Sequence, residues 1–158
     1  MNLEEKIINE LQKRGYTITT AESCTGGLLA GRLLNVSGAS KVYNEGHITY
    51  SNEAKERLLG VSHDTLEAYG AVSRQTAGEM ALGAARTAKA EVGLSTTGIA
   101  GPGGGTSEKP VGLVYVGCAI NGEVAVRECR FNGNREENRN AAVDAALQLL
   151  WERLDTAF

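Results

Sequence analysis

Apolar residues change their spacing several times along the chain, and each change predicts a different element. Leu3, Ile7, Ile8 and Leu11 recur at the spacing of one helix face, and Gly15 follows as a residue suited to end a helix. The same reasoning predicts a strand over 16–21, a helix from 25 with leucines at 28, 29, 33 and 34, a strand over 47–50, a helix over 53–59, helices capped by Ser62 and Ser73, a strand over 91–97, strands over 111–120 and 123–131, and a helix over 135–154.

The two strands that follow residue 110 are joined by Asn121-Gly122. This pair favours a type I′ turn, which needs positive φ at both central positions, so the two strands are predicted to be antiparallel. Strands and helices alternate elsewhere, and no internal repeat or linker interrupts them. The pattern predicts one domain over residues 1–158 of the α/β class, with a mixed sheet covered by helices on both faces.

Composition narrows the classes of function. The formal net charge of −3 and the pI near 5.5 argue against a nucleic-acid-binding surface, and any bound anion is expected to be small. No apolar run reaches the length of a membrane span, and the charged N-terminus has no signal-peptide core, so a cytoplasmic protein without a membrane partner is expected. Three cysteines without a CxxC pair and only two histidines favour neither a disulfide framework nor a metal site.

Residues 98–106 are glycine-rich, as are the loops that bind the phosphates of nucleotide cofactors, but the spacing of the glycines does not match those loops. The Walker A pattern lacks its Gly-Lys pair, and GxGxxG fails because position 106 is threonine. No cofactor is therefore predicted. Two interpretations of the segment remain open. Its backbone N–H groups bind a ligand at the end of a strand, or it is only a wide surface loop.

Common serine-hydrolase signatures are also absent. Ala21 and Thr25 occupy the glycine positions of GxSxG, and the SxxK set with KTG is missing. A Ser/His/Asp triad has weak support, because His47 and His63 are better explained as structural or surface residues.

Ser23 lies where a predicted strand turns into a helix and is followed by Gly26 and Gly27. Free backbone N–H groups and the positive end of the helix dipole at such a turn favour an oxyanion beside the serine. The alternative is that Ser23 or Thr25 only caps the helix. Lys55 would serve as a base only if its environment lowered its pKa from about 10.4, and most lysines are solvated.

Five segments together resemble the CinA C-terminal domain family, which includes stand-alone nicotinamide mononucleotide deamidases. They cover nearly the whole chain in the family's order. They are Ala-Glu-Ser-Cys-Thr-Gly-Gly at 21–27, Thr-Tyr-Ser-Asn-Glu-Ala-Lys at 49–55, Gly-Ala-Val-Ser at 70–73, Thr-Gly-Ile-Ala-Gly-Pro-Gly-Gly-Gly-Thr at 97–106 and Glu-Lys-Pro-Val-Gly at 108–112.

The resemblance implies a three-layer α/β/α fold and hydrolysis of the carboxamide of nicotinamide mononucleotide to nicotinic acid mononucleotide and ammonia, in pyridine nucleotide salvage. It implies Ser23 as nucleophile, Lys55 as its base and Tyr50 as a hydroxyl that supports this Ser-Lys dyad. Two arginines four residues apart near the start of the last helix suggest a phosphate anchor, with surface pairing to Glu136 or Glu137 as the alternative. The expected substrate-binding residues are Thr25, Gly26, Gly27, Thr97, Gly98, Arg135 and Arg139.

One segment departs from the family. Residues 132–135 read Asn-Gly-Asn-Arg where relatives often have Gly-Asp-Arg, so Asn134 stands in place of an aspartate. The additional N-terminal domain of larger members, associated with pyrophosphatase activity, is not expected here. A homo-oligomer, with a dimer favoured, is expected. The alternative function is a noncatalytic nucleotide-binding or regulatory module linked to competence and DNA damage.

Overall fold

In the computed structural model, residues 1–156 are described and form a five-stranded mixed sheet with helices on both faces. The strands are β1 (Ile18–Glu22), β2 (His47–Ile48), β3 (Val92–Gly98), β4 (Leu113–Ile120) and β5 (Glu123–Arg130). The helices are α1 (Leu3–Arg14), α2 (Leu28–Leu34), α3 (Asn52–Leu59), α4 (His63–Tyr69), α5 (Arg74–Ala88) and α6 (Arg135–Thr156), with a 3-10 turn at Ala39–Lys41.

The strand order is β2-β1-β3-β4-β5. Strands β2, β1 and β3 are parallel, whereas β4 is antiparallel to β3 and β5 is antiparallel to β4. The predicted α/β class and mixed sheet are confirmed. Because the first three strands are parallel, their carboxyl ends lie at one edge of the sheet, which is where ligands bind in open α/β sheets. Ser23, Thr49 and Gly98 all lie at that edge.

Helices cover the two faces differently. Helices α1, α2 and α6 pack together over one face, and the alanine-rich α5 covers the other. Helix α5 lies very close to the sheet, since a Cβ added at Gly93 would be 2.2 Å from the carbonyl oxygen of Ala81. Helix α3 in turn packs on α5 through Gly83, where a Cβ would be 1.9 Å from the carbonyl oxygen of Leu59. These glycines bring α3 close to the sheet edge.

Several predicted boundaries match the structure. Gly15 ends α1 in the left-handed region with φ of 68°. The type I′ prediction fits Asn121 and Gly122, which have φ of 49° and 86°. Ser62 and Ser73 accept hydrogen bonds from the first turns of α4 and α5, as expected of N-caps.

Other predicted elements are shorter or differently buried. Strand β2 contains two residues instead of four, and β1 begins at Ile18, where pairing with β3 starts. In α2, Leu29 and Leu33 are buried, whereas Leu28 and Leu34 are exposed, because this short helix packs against the core along one side only. No helix within residues 1–156 combines the length and apolar character that crossing a bilayer requires.

Candidate active site

Ser23 lies in the turn between β1 and α2, as the sequence predicts. Its N–H donates to the carbonyl of Thr96 at 3.0 Å, which continues the pairing of β1 with β3 by one residue. The turn then closes through Gly26, whose N–H donates to the carbonyl of Ser23 at 3.2 Å. Gly26 and Gly27 have φ of 54° and 108°, a region that strains other residues. The glycines therefore allow the chain to reverse directly after the serine.

Lys55 is buried beside this turn. Helix α3 begins at a Ser51 N-cap, whose side chain accepts the N–H of Ala54 at 3.1 Å. One turn into the helix, Lys55 shares the buried face with Leu59, and only 1% of it is exposed. Its Nζ lies 3.0 Å from Oγ of Ser23. The structure thus brings together the two residues that the sequence predicts as a dyad.

Two backbone carbonyls complete the surroundings of the Lys55 amine. Nζ lies 2.8 Å from the carbonyl oxygen of Thr49 and 3.2 Å from that of Tyr50. Burial lowers the pKa of Lys55 from 10.5 to about 8, because the charged form loses its hydration. In the neutral amine, two N–H groups suffice for the two carbonyls, and the remaining lone pair is left for the Ser23 hydroxyl. This arrangement suits a base that removes the serine proton.

Cys24, which follows Ser23, is the other potential nucleophile in the turn. Its thiol is buried, and burial raises the pKa of Cys24 to about 11. A thiol is far less nucleophilic than its thiolate, so Cys24 remains in its unreactive form at neutral pH. The amine of Lys55 hydrogen-bonds the serine. The geometry therefore favours Ser23 as the nucleophile.

Tyr50 contacts the dyad through its backbone and not through its hydroxyl, which is the group that the sequence interpretation assigns. The residue is 64% exposed, and its hydroxyl lies 3.5 Å from Nη2 of Arg135. Its carbonyl oxygen faces both Lys55 and Ser23. The physical reason is that Tyr50 precedes α3, where its carbonyl turns toward the amine while its side chain points outward.

A cavity of about 210 Å³ opens at the dyad. Thr97 and Gly98 belong to its wall, as predicted, but the Thr97 hydroxyl is occupied, because it donates to the carbonyl of Ala71 at 2.8 Å. At Gly98, a Cβ would lie 2.5 Å from Cγ2 of Val114, so this position has no room for a side chain. The wall consists of Ser23, Cys24, Tyr50, Lys55, Ala71, Val72, Thr97, Gly98, Ala100 and Arg135.

Arg135 also reaches this cavity. It is the first residue of α6, and its Nη1 donates to the carbonyl of Gly101 at 2.8 Å. Asn138 from the same helix donates to the carbonyl of Ala100 at 3.0 Å. The glycine-rich loop therefore meets α6 through its carbonyl groups, and these contacts hold Arg135 at the edge of the cavity.

Asn134, the departure from the family pattern, caps α6. Its side chain accepts the N–H of Glu137 at 2.9 Å, and the Glu137 carboxylate accepts the N–H of Asn134 at 2.9 Å. This reciprocal pair is a capping box, in which asparagine and aspartate serve equally well. The substitution leaves the start of the helix, and so the position of Arg135, in place.

Arg139 lies one turn further along α6 and contacts the serine turn itself. Its Nε donates to the carbonyl of Cys24 at 2.9 Å, and its Nη2 donates to the carbonyl of Thr25 at 3.1 Å. It is not part of the cavity wall. The two arginines that the sequence assigns to one phosphate thus point to different places.

Glu22 is a buried member of the site that sequence reasoning misses. Its carboxylate is 1% exposed and accepts hydrogen bonds from the Thr25 hydroxyl at 2.5 Å, the Leu29 N–H at 2.8 Å and the Ala30 N–H at 3.0 Å. It thereby caps α2, whose N-cap is a glycine without a side chain. All five residues of β1 are buried, so no alternation of polar and apolar positions marks this glutamate.

Within the described part of the chain, His, Cys, Asp and Glu residues form no group of three or more arranged to hold a metal ion.

Comparisons with known proteins agree on one family. The CinA C-terminal domain model matches residues 1–154. A CinA-like protein of Kosmotoga olearia is 56% identical over 149 residues, which are 94% of this chain but 36% of that protein. The chain therefore spans little more than a third of the length of the curated relatives it matches.

Two solved structures share the fold. The competence/damage inducible protein of Agrobacterium tumefaciens superposes with a TM-score of 0.92 at 48% identity, covering 97% of this chain and 93% of its own. The competence damage-inducible protein A of Klebsiella pneumoniae superposes with a TM-score of 0.95 at 35% identity, covering 99% and 97%. The three-layer arrangement predicted from the resemblance is confirmed.

Proposed function

The chain belongs to the CinA C-terminal domain family, and we propose that it is an amidohydrolase that converts nicotinamide mononucleotide and water to nicotinic acid mononucleotide and ammonia. The observation that carries this proposal is the buried contact of 3.0 Å between Nζ of Lys55 and Oγ of Ser23, at the wall of a cavity. A pyridinium ring withdraws electrons from its carboxamide, which makes the carbonyl carbon a good target for a serine hydroxyl.

The first half of the reaction acylates the enzyme. Oγ of Ser23 bonds to the carboxamide carbon while its proton passes to the neutral amine of Lys55, and the carbonyl oxygen takes the negative charge. Collapse of this intermediate breaks the carbon–nitrogen bond. The proton held by Lys55 passes to the departing nitrogen, which leaves as ammonia. The product of this half is an ester between Ser23 and the pyridine carboxylate.

The second half restores the enzyme with water. Lys55, neutral again, takes a proton from a water molecule that attacks the ester carbon. The carbon–oxygen bond to Ser23 then breaks, and Ser23 regains its proton from Lys55. The two halves use the same residues, and the proton count closes without another reactant.

The cavity at the dyad continues into a neighbouring one, which supports a ring substrate that carries a further group. A second cavity of about 540 Å³ shares Ala100 and Arg135 with the catalytic one, and its other walls are Pro102, Val111, Gly133, Asn134 and Glu136. The pyridine ring would occupy the cavity at Ser23, while the ribose phosphate would extend past Arg135. A guanidinium ion suits a phosphate because its planar N–H groups match two phosphate oxygens.

The test is ammonia release from purified protein with four amides: nicotinamide mononucleotide, nicotinamide riboside, nicotinamide and NAD. We expect the mononucleotide to be the best substrate and its product to elute as a carboxylate in chromatography. Release from none of the four would contradict the proposal. It would favour the alternative of a noncatalytic module linked to competence or DNA damage, the two conditions that appear in the names of relatives.

A further inference from the structure

The side chain of Tyr50 extends from the dyad to Arg135. Its backbone carbonyl oxygen is 3.2 Å from Nζ of Lys55 and 3.5 Å from Oγ of Ser23, so this end of the residue is at the reacting groups. Its hydroxyl is 3.5 Å from Nη2 of Arg135. All four residues line the same cavity, so the Tyr50 ring lies along it between the dyad and the arginine.

The proposed substrate runs in the same direction. Its carboxamide is at Ser23, its pyridinium ring follows, and its ribose phosphate extends past Arg135. The two rings would then lie side by side at the mouth of the cavity. The Tyr50 ring has room for such a neighbour, because 64% of the residue is exposed.

The pyridinium ring carries a positive charge for which the cavity offers no ion pair. The wall formed by residues 1–156 contains no aspartate or glutamate, and its basic residues are Lys55 and Arg135. The nearby carboxylate of Glu22 is already bonded by the Thr25 hydroxyl and by N–H groups of α2. An aromatic face attracts a cation through its π-electrons, and Tyr50 is the aromatic residue of this wall.

We propose that Tyr50 is a specificity-determining residue whose ring binds the pyridinium cation by a cation–π contact. The proposal rests on the proposed function and names the property by which the site selects its substrate, a positively charged ring nitrogen. Quaternary ammonium groups are recognised by aromatic side chains in the same way. Nicotinamide has the same carboxamide but a neutral ring, so the site discriminates against it.

This role belongs to the ring and not to the hydroxyl. The family resemblance implies a hydroxyl that supports the dyad, but the structure places that hydroxyl at Arg135. Phenylalanine keeps the ring and removes the hydroxyl, whereas leucine removes both. The two substitutions at Tyr50 therefore separate a cation–π contact from a hydrogen bond.

The test measures binding of a matched pair of ring compounds. One is the cation of nicotinamide methylated on its ring nitrogen, and the other is meta-toluamide, which has the same shape without the charge. The protein is S23A, which lacks the proposed nucleophile, so neither amide is consumed. NMR titration gives both Kd values. We expect the cation to bind about 3–30-fold more tightly than meta-toluamide, which is the range for a cation–π contact that is partly shielded from water.

Substitutions at Tyr50 should change this preference in a defined order. S23A/Y50L should lose it while its Kd for meta-toluamide changes little, whereas S23A/Y50F should keep it. S23A/Y50W should keep or increase it, because tryptophan attracts cations most strongly among the aromatic residues. Equal weakening of both compounds in S23A/Y50L would mean that the ring only packs against the ligand. A loss in S23A/Y50F as large as in S23A/Y50L would assign the role to the hydroxyl. Either outcome overturns the proposal.

Two further variants exclude other causes. Tyr69 is also exposed, at 51%, but does not line this cavity, so S23A/Y69L should bind both compounds as S23A does. Glu136 belongs to the wall of the neighbouring cavity, and S23A/E136Q tests whether its carboxylate attracts the cation. Loss of the preference in S23A/E136Q and its retention in S23A/Y50L would overturn the proposal. Thermal melts check that every variant folds, which the exposure of Tyr50 favours.

Kinetics provides a second readout. The ring keeps its charge throughout the reaction, so a contact with that charge stabilises the bound substrate and the transition state equally. Y50L should therefore lower kcat/KM for nicotinamide mononucleotide by about 3–30-fold through KM, with kcat nearly unchanged. A loss of that size in kcat would place Tyr50 in the chemistry instead and overturn the proposal.

The two readouts separate failure of this proposal from failure of the proposed function. If the preference for the cation depends on Tyr50 but wild type releases no ammonia from any amide, the proposed function fails and the pyridinium site stands. If wild type releases ammonia but no preference depends on Tyr50, only this proposal is overturned. If neither is observed, both are overturned.

Discussion

Nζ of Lys55 lies 3.0 Å from Oγ of Ser23, although 32 positions separate the two residues in the sequence. Parallel pairing of β1 with β2 explains the contact, since the serine follows one strand and the segment leading to the lysine follows the other. Burial then gives the lysine a pKa of about 8. The position and the ionisation of the base thus have separate structural causes, and each can be tested.

The first prediction concerns the dyad as a unit. K55M should lower kcat by about 10²–10⁴-fold, the usual contribution of a general base. S23A should lose at least as much, because no acyl-enzyme can form without the hydroxyl. The double variant should lose no more kcat than the less active of the two single variants, because the effects of residues that act as one unit are not additive. Ammonia release under steady-state conditions measures all three.

Two exposed residues of the same types serve as controls for the dyad. K13M and S37A lie outside the site and should retain normal turnover. Circular dichroism should show the same helix content in every variant. If S23A or K55M releases ammonia at close to the wild-type rate, the residue replaced in that variant has no catalytic role.

The second prediction is a pH profile. Lys55 acts as a base only when neutral, so kcat/KM should rise with pH and level off above its pKa of about 8. K55R should show no such plateau, because an arginine remains charged over the whole range. Initial rates between pH 6 and 10 measure the profile. A flat or falling curve for the wild type would rule out a neutral lysine.

The third prediction concerns stability. Lys55 has a pKa of about 8 in the native protein and 10.5 as its ordinary value, so between these pH values the unfolded chain binds a proton that the native chain lacks. The contribution of Lys55 to the free energy of unfolding therefore rises as pH increases from 8 to 10.5. Below pH 8 the protein bears the full cost of burying the charged amine. The gain amounts to about 3 kcal/mol.

K55M isolates that gain, because methionine does not titrate and all other titratable groups are the same in the variant and in wild type. Its free energy of unfolding relative to wild type should fall by about 3 kcal/mol between pH 8 and 10.5. Urea denaturation at both pH values provides the comparison. A constant difference would mean that the buried amine titrates as it does in the unfolded chain.

Local signals made parts of this fold predictable from the sequence. Gly15 ends a helix and Asn121-Gly122 forms a hairpin turn because these conformations need residues that tolerate positive φ. A strand that is buried on both faces of the sheet has no comparable signal in the sequence, because its polar and apolar residues do not alternate. Glu22 occupies a strand buried on both faces, and the part of Tyr50 that faces the dyad is a carbonyl, which every residue possesses. Arg139, which the sequence interpretation assigns to the phosphate, has backbone carbonyls as its partners in the structure, and these too leave no signal in the sequence.

The fourth prediction concerns the phosphate. If Arg135 binds it, R135M should lower kcat/KM for nicotinamide mononucleotide by about 10–100-fold, which corresponds to about 1.5–3 kcal/mol for a hydrogen bond to a charged group. The riboside has no phosphate and should already be a poor substrate, with kcat/KM unaffected by R135M. The four values form a double-mutant cycle with the substrate as one partner.

If R135M lowers kcat/KM by the same factor for the mononucleotide and the riboside, Arg135 does not bind the phosphate. Arg135 would then act through its bond to Gly101, and the phosphate anchor would lie elsewhere, with the N–H groups of the glycine-rich loop and Lys109 as the next residues to vary.

The fifth prediction concerns metal ions. The proposed reaction uses Ser23 as nucleophile, Lys55 as base and a backbone N–H for the oxyanion, so it requires no metal. Activity should therefore persist after dialysis against EDTA. Loss of ammonia release with recovery on addition of zinc or magnesium would demand a different mechanism.

The base and two of its three hydrogen-bond partners come from one short stretch, because Thr49, Tyr50 and Lys55 lie within seven consecutive residues. The amine and these two carbonyls are therefore held together by local chain geometry, whatever the length of residues 35–46 that lead to them. The third partner, Ser23, is brought to the amine by long-range contacts, the pairing of β2 with β1 and the bond from the Thr49 N–H to the Glu22 carbonyl. A change in the strand pairing would move the base away from its nucleophile and leave its two carbonyls in place.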